Sequence, residues 1–316
     1  MRHRSAGERR CTYLVVLQRE FASTEELHDL AGYLSSLSVC DFDIAIIDTL
    51  PNAENRRVLR WVGRYIPAKT CVDPVRAALD IASCEKVIVA DAQVRYAHDA
   101  LDHLCALLDL HEVVEPQDYF DPLPWWGGLE AGRLLLRRGI GPLSEDAVTF
   151  GFRKRTMRGL RSIDSSIVTD HPVWRLESLG AEVFCAMEIF VRRIPPTLDR
   201  WLRDRPRQFD QPAIFFGVLP LALILSLLIG PQVAALYLGV LGFCALALAI
   251  RGRIGAAAFF PLRVCVYAPV WLLERSISVY WALLLDMTGT REPDRMPIPA
   301  GAEGVSSRPS STANTL

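Results

Sequence analysis

Lysine is almost missing from this chain: Lys69, Lys86 and Lys154 are the only three, and the rest of its 35 basic residues are arginine. Against 36 acidic residues the charge is close to balanced. That excludes the one-signed basic surface of a protein whose main partner is nucleic acid. Paired cysteines are lacking too. The eight present (Cys11, Cys40, Cys71, Cys84, Cys105, Cys185, Cys244, Cys265) are scattered without a C-x-x-C pair. Most lie in apolar runs, where a free thiol behaves as a small hydrophobe. Neither a zinc site nor a disulfide frame is expected. No apolar h-region follows the basic stretch Met1 to Arg10, so no cleaved signal peptide is expected.

The most consequential absence is of charge between residues 211 and 250, where not one Asp, Glu, Lys or Arg occurs. Forty such residues suffice for two helices of about 20 residues each, the length that crosses a bilayer, with Gly230-Pro231-Gln232 as the turn. Arg192, Arg193, Arg200, Arg203, Arg205 and Arg207 precede the apolar pair, Arg251 and Arg253 follow it, and the turn has no arginine. The positive-inside rule then puts both ends in the cytoplasm. Residues 254–285 are interrupted by Arg263, Glu274 and Arg275. Their shorter apolar pieces suit interfacial or re-entrant helices, with Trp271, Tyr280 and Trp281 at headgroup level. The polar, Pro/Ser-rich tail from residue 290 is expected to be disordered.

What is present before residue 192 reads as an α/β domain, for which 316 residues leave ample room. Residues 12–17 and 42–48 are apolar runs suited to strands. Ser23-Thr24-Glu25-Glu26 sets a helix N-cap between them. Lys86-Val87-Ile88-Val89-Ala90-Asp91 is a strand buried on both faces, ending in a carboxylate. Asp48 and Asp91 both stand at strand ends, where ligands of open α/β sheets bind. Further strands are expected at 111–115, 149–153 and 181–191, and a helix at 129–138. Between them, residues 116–128 (PQDYFDPLPWWGG) read as a rigid aromatic loop. It is either a wall for a sugar or ring, formed by Tyr119, Phe120, Trp125 and Trp126, or a stiff connector packed on the core.

The aspartate-ended strand, VVEPQDYFDPLPWW, TFGFRK and the arginine-rich link into membrane helices together resemble glycosyltransferase family 2, in its bacterial membrane-anchored members. The likeness runs from Tyr13 to Leu285. It implies a GT-A type fold: a mostly parallel sheet flanked by helices, followed here by a C-terminal membrane hairpin and interfacial helices. The domains follow as a tail (1–11), a GT-A-like domain (12–191), a juxtamembrane segment (192–210), the hairpin (211–250), membrane-associated helices (251–289) and a second tail (290–316).

The resemblance also implies inverting transfer from a UDP- or GDP-sugar, with Mg²⁺ or Mn²⁺ bridging the diphosphate to a D-x-D motif. Here that motif reads Asp91-Ala92-Gln93, leaving Asp91 as metal ligand. Asp48, Gln93 and Arg95 complete the nucleotide-sugar contacts, and Arg95 can share in charge neutralisation. Asp170, in Thr169-Asp170, takes the place of the general base, or else caps a helix ahead of Pro172. Arg200-Trp201 keeps half of Q-x-x-R-W, as an acceptor or membrane contact. The expected partners are a nucleotide sugar, a lipid-linked or glycan acceptor and the membrane. The expected place is the inner membrane, multi-pass, with the catalytic domain cytoplasmic. The acids missing at Gln93 and Thr169 support a second reading, a non-catalytic relative that binds a nucleotide or a partner.

Overall fold

A computed structural model describes residues 9–18, 21, 23–68, 74–141, 148–159, 173, 176–177, 180–204 and 213–287. It begins as strictly alternating α/β structure: β1 (Cys11–Leu17), α1 (Thr24–Val39), β2 (Phe42–Asp48), α2 (Ala53–Leu59), β3 (Arg64–Pro67), α3 (Pro74–Ile81) and β4 (Lys86–Asp91). Ser23 caps α1 by accepting from the Glu26 N–H at 3.2 Å, with Glu25 and Glu26 in the first turn. There follow β5 (Val94–Arg95), α4 (His98–Leu107), β6 (Val113–Phe120), α5 (Gly127–Ile140), β7 (Thr149–Arg153), α6 (Lys154–Gly159) and β8 (Val183–Arg193). Four further helices follow among the described residues: α7 (Leu198–Asp204), α8 (Ala213–Ile229), α9 (Pro231–Gly252) and, after a 3₁₀ turn at Leu262–Val266, α10 (Tyr267–Met287).

The strands form one sheet of order β3-β2-β1-β4-β7-β6-β8-β5. Pairings through β3, β2, β1 and β4 are parallel, as is β6 with β8, whereas β7 runs antiparallel to both neighbours and β5 antiparallel to β8. Six of the eight strands therefore run the same way, as a mostly parallel sheet requires, and β7 and β5 run against them. Alternating residues of β1 feed two cores. Tyr13, Val15 and Leu17 join Leu27, Leu30 and Leu34 of α1. Leu14 and Val16 join Val75 and Ala78 of α3. Burial on both faces explains the unbroken apolar runs in β1, β2 and β4.

Residues 116–120, expected to be loop, continue β6 as strand, and only the following prolines break it. Pro116 is accommodated at a register shift, where β8 carries extra residues between Ala186 and Phe190. Beyond the shift, β6, β8 and β5 form a small three-stranded extension. Val94, Arg193 and Phe120 lie in one row across it.

α5 joins the sheet to the C-terminal helices. Its inward face packs with Ala245, Ala249, Phe260, Ala268 and Trp271 in a third apolar cluster. At the crossing with α9 the backbones touch: a Cβ on Gly139 would meet the Leu248 carbonyl, and one on Gly252 the Leu135 carbonyl. Arg138 closes the junction. Its Nε donates to Gly252 O (3.0 Å), at the open C-terminus of α9, and its Nη1 to Met187 O in β8 (2.8 Å).

α8 and α9 turn at Gly230 and touch along their length, Tyr237 Oη donating to Leu219 O at 3.1 Å. Among the described residues only α9, with 22 residues, is long and apolar enough to cross a membrane. By rise per residue it spans about 33 Å. The expected second span, α8, has 17 residues and encloses Pro220. Residues 267–287 form one continuous helix rather than a pair, because the charges of half-buried Glu274 and buried Arg275 do not interrupt a helical backbone. Trp271, expected at headgroup level, is instead buried against α5. Residues 290–316, expected to be disordered, lie outside the described residues.

The junction gives a stability prediction. Gly252→Ala forces a methyl group into a backbone carbonyl that cannot rotate away. It should cost at least ~2 kcal/mol, seen as a lowered melting temperature of the purified protein. An unchanged melting temperature would mean that α5 and α9 do not meet at this point.

Candidate functional site

Asp48 and Asp91 flank the end of β1, not each other: Leu17 pairs with Asp48, and Val16 with Asp91. Two strand spacings, about 10 Å, separate them. The two carboxylates differ in availability. Asp48 is 0 % exposed, and its oxygens accept from Leu50 N (3.0 Å), Asn55 Nδ2 (2.9 Å) and Tyr65 Oη (2.6 Å). It ties together the ends of β2 and β3 and the start of α2. Asp91 is half-buried, and its Oδ1 accepts from the Gln93 N–H at 3.1 Å. Its Oδ2 carries no hydrogen bond among the described residues.

Gln93 is buried, and its backbone carbonyl accepts from Ile194 N (3.0 Å). Arg95 is directed away from the sheet end. Its Nε and Nη2 donate to Asp29 of α1 (3.2 and 2.9 Å), its Nη1 to the Ala92 and Val94 carbonyls (2.7 and 2.9 Å), and its guanidinium lies 5.1 Å from the Tyr33 ring centre. These bonds hold β5 to α1 and leave the guanidinium little to offer a diphosphate. Asp170 lies outside the described residues.

The four expected aromatic residues do not make one wall. Trp125 is 73 % exposed. Tyr119 packs on Phe259 (4.8 Å between ring centres), on the helical side. Phe120, Trp126 and Trp201 form a cluster, with Phe120 edge-on to Trp126 at 5.7 Å and Trp126 tilted against Trp201 at 5.1 Å. Trp201 thus packs inside the protein, while Arg200 beside it on α7 is half-buried.

Sequence reasoning missed the polar groups beside this cluster. Trp201 Nε1 donates to Glu130 Oε1 (3.2 Å), and Arg133 Nε to Glu130 Oε2 (2.8 Å). Arg193 Nη1 donates to Asp118 Oδ2 (3.2 Å), and the Arg193 guanidinium sits 5.3 Å from the Phe120 ring centre. Asp118, Tyr119, Phe120, Glu130, Arg133, Leu134, Arg193 and Phe260 line a half-open pocket between β6, α5 and the segment after α9. The available signal was Glu130, an acid on the inward, apolar side of α5 beside Ala131, Leu134 and Leu135. A charge there is rarely buried without a partner.

A divalent ion has only a narrow place here. No group of three or more His, Cys, Asp or Glu side chains that could hold a metal occurs among the described residues. Asp91 supplies one carboxylate oxygen without a partner among the described residues. That suits an ion which takes one protein carboxylate and completes its shell with phosphate and water, and it does not suit an all-protein cage.

Asp48 gives a prediction with a worked pH dependence. Burial, then the hydrogen bond to Asp48, push the Tyr65 phenol above its ordinary value. The neutral phenol is therefore favoured by folding. Its contribution is complete below the ordinary tyrosine pKa of about 10 and is lost as pH rises beyond it. Tyr65→Phe should destabilise by roughly 1.5–3 kcal/mol at neutral pH. In paired melting curves the gap to wild type should narrow above pH ~10. A gap constant across that range would show that the phenol is not bonded to Asp48 in solution.

No protein-family model matches the sequence, and no curated protein matches it. Among solved structures, the chain is similar to the mannosyltransferase PcManGT from Pyrobaculum calidifontis, solved in complex with GDP-Man and Mn²⁺. The TM-score is 0.50 at 14% identity, over 87% of this chain and 88% of that one. At that identity the likeness speaks for the fold alone: the chain shares the overall fold of that protein.

Proposed function

We propose that this chain is a membrane-anchored, inverting glycosyltransferase of the family 2 type. It would move a sugar from a nucleotide-sugar donor to a lipid-linked or glycan acceptor at the cytoplasmic face of a bacterial inner membrane. The observation that carries the reading is Asp91. It is a half-buried carboxylate with an oxygen that has no partner among the described residues, at the carboxyl end of a central parallel strand, in a glycosyltransferase fold. The fold neighbour was solved with GDP-Man and Mn²⁺, which supports a nucleoside-diphosphate sugar as donor class.

In this reading the nucleotide lies over the ends of β1, β2 and β4. Asp48 supports that surface through its bonds to Asn55 and Tyr65, and the backbone beside it, rather than its engaged carboxylate, faces the donor. Asp91 would hold Mg²⁺ or Mn²⁺, which when bound neutralises charge on the departing diphosphate. The acceptor hydroxyl gives its proton to Asp170 and attacks the anomeric carbon. The bond to the diphosphate oxygen breaks on the opposite face, and a nucleoside diphosphate leaves.

Anchoring would rest on α9 with α8 alongside. Apolar residues Leu221, Leu228, Leu236, Val240 and Phe243 are exposed on this pair, as a lipid-facing surface requires. Arg251 and Arg253 stand at the end near the α/β domain, which supports placing that domain in the cytoplasm. A non-catalytic nucleotide- or partner-binding protein is the second reading, favoured by the burial of Gln93 where a second acid would stand.

Donor hydrolysis separates the two. Purified protein with UDP- and GDP-sugars should release nucleoside diphosphate in Mn²⁺ or Mg²⁺. EDTA should suppress the release, and Asp91→Ala should lower it at least ~100-fold. Calorimetric binding of a nucleotide sugar with no release, even when candidate acceptors are added, would favour the binding protein.

A further inference from the structure

We infer that Arg95 is a positioning residue: it fixes the turn that carries Asp91, and through that turn the carboxylate that would receive the divalent ion. The inference rests on the transferase reading and names what holds its central acid in place.

The turn between β4 and β5 is bonded at every carbonyl from Ala92 to Val94. Arg95 Nη1 donates to two of them, Ala92 O (2.7 Å) and Val94 O (2.9 Å). Gln93 O, between them, accepts from Ile194 N (3.0 Å). The Gln93 N–H donates to Asp91 Oδ1 (3.1 Å), and the Asp91 N–H to Val148 O (3.1 Å). With these groups engaged, the backbone has little freedom to carry the Asp91 carboxylate elsewhere. Its Oδ2 is left without a partner among the described residues.

The clamp is itself anchored on α1. Arg95 Nε and Nη2 both donate to Asp29 Oδ2 (3.2 and 2.9 Å), and the guanidinium lies 5.1 Å from the Tyr33 ring centre. Tyr33 follows Asp29 by one helical turn, and its Oη accepts from the Tyr96 N–H just beyond the clamp (3.0 Å). Arg95 is buried, whereas the Asp29 side chain is 62 % exposed. A planar fork of N–H groups can reach two carbonyls and a carboxylate together. A lysine has a single nitrogen and cannot.

The missing second acid gives this arrangement its purpose. Gln93 stands where another carboxylate would share the ion, so Asp91 is the one acid of the turn. A lone carboxylate holds an ion better when it is already in place, because no ordering is required on binding. Arg95 supplies that order through the backbone, without touching the ion or the donor.

Manganese binding reads this role without turnover. The whole chain, purified, is titrated with Mn²⁺ in the presence of UDP or GDP. Unbound ion is followed by its electron paramagnetic resonance signal, against nucleotide alone. Arg95→Ala should weaken Mn²⁺ about 10- to 100-fold. Arg95→Lys should not recover the affinity, and Asp29→Ala should shift it the same way by less. Guanidinium ion at non-denaturing concentration should restore part of the loss in Arg95→Ala and none in Asp91→Ala. Melting curves on the same samples separate placement from folding. A lowered melting temperature with unchanged Mn²⁺ affinity would make Arg95 a structural tie and overturn the inference. If Arg95→Ala does not fold, the surface variant Asp29→Ala decides, and unchanged affinity there overturns it.

Calorimetry with nucleotide and EDTA distinguishes the two levels of failure. If the unmutated protein binds nucleotide and Mn²⁺, and Arg95→Ala binds both as tightly, the positioning role is wrong and the transferase reading stands. If it binds nucleotide but no ion, the positioning role falls with the metal role of Asp91. If it binds no nucleotide with or without Mn²⁺, the transferase reading falls and takes this role with it.

Discussion

The contact on which the arrangement depends is the backbone-to-backbone crossing of α5 and α9. With no side chain at Gly139 or Gly252, the two helices approach until a methyl group would collide with a carbonyl. That closeness lets Arg138 reach two places at once, the C-terminal carbonyl of α9 and the carbonyl of Met187 in β8. Burial lowers the Arg138 pKa from its ordinary value. A guanidinium nonetheless keeps its proton at neutral pH and supplies donors to both carbonyls. One side chain thus joins helix α5, the apolar helices and the sheet at the place where β8 bulges.

The candidate site inherits its shape from that junction. α5 presents Glu130 and Arg133 toward β6, and the neighbouring faces of the same helix hold Ala245, Ala249 and Ala268. The register shift at Pro116 turns the ends of β6 and β8 into a small sheet, which brings Asp118 and Arg193 to the same pocket and ties β5 back to the turn after Asp91. The turn after Asp91 and the pocket therefore share the β5–β8–β6 row. A shift of α5 against α9 would move one wall of the pocket relative to the other.

Much of the α/β half was legible in residue order. β2 begins and ends where its apolar run does, Ser23 caps α1 as its type suggests, and Asp91 closes β4. The short β3 and β5 escaped notice because they carry too few residues for a period to show. Residues 116–120 misled because two prolines flank them, and a strand at a bulge tolerates what a regular strand does not. Arg95 looked like a phosphate ligand by its place after Asp91. Its bonds to Asp29 and two carbonyls depend on α1, which is remote in sequence. Asp48 similarly looked like a nucleotide contact until Asn55 and Tyr65 were seen to occupy it.

Taken alone, the sequence determined the local elements, the uncharged stretch from 211 to 250 and the carboxylates at the strand ends. Those follow from periodicity and from the cost of burying charge, which act over neighbouring residues. Which polar groups meet was decided only by the tertiary structure. Trp201 with Glu130, and Arg193 with Asp118, are separated by 71 and 75 positions. Their pairing depends on how a helix, a bulged strand and the apolar C-terminal helices pack together. No short-range pattern encodes that, because the free energy that fixes it comes from apolar area shared among all three.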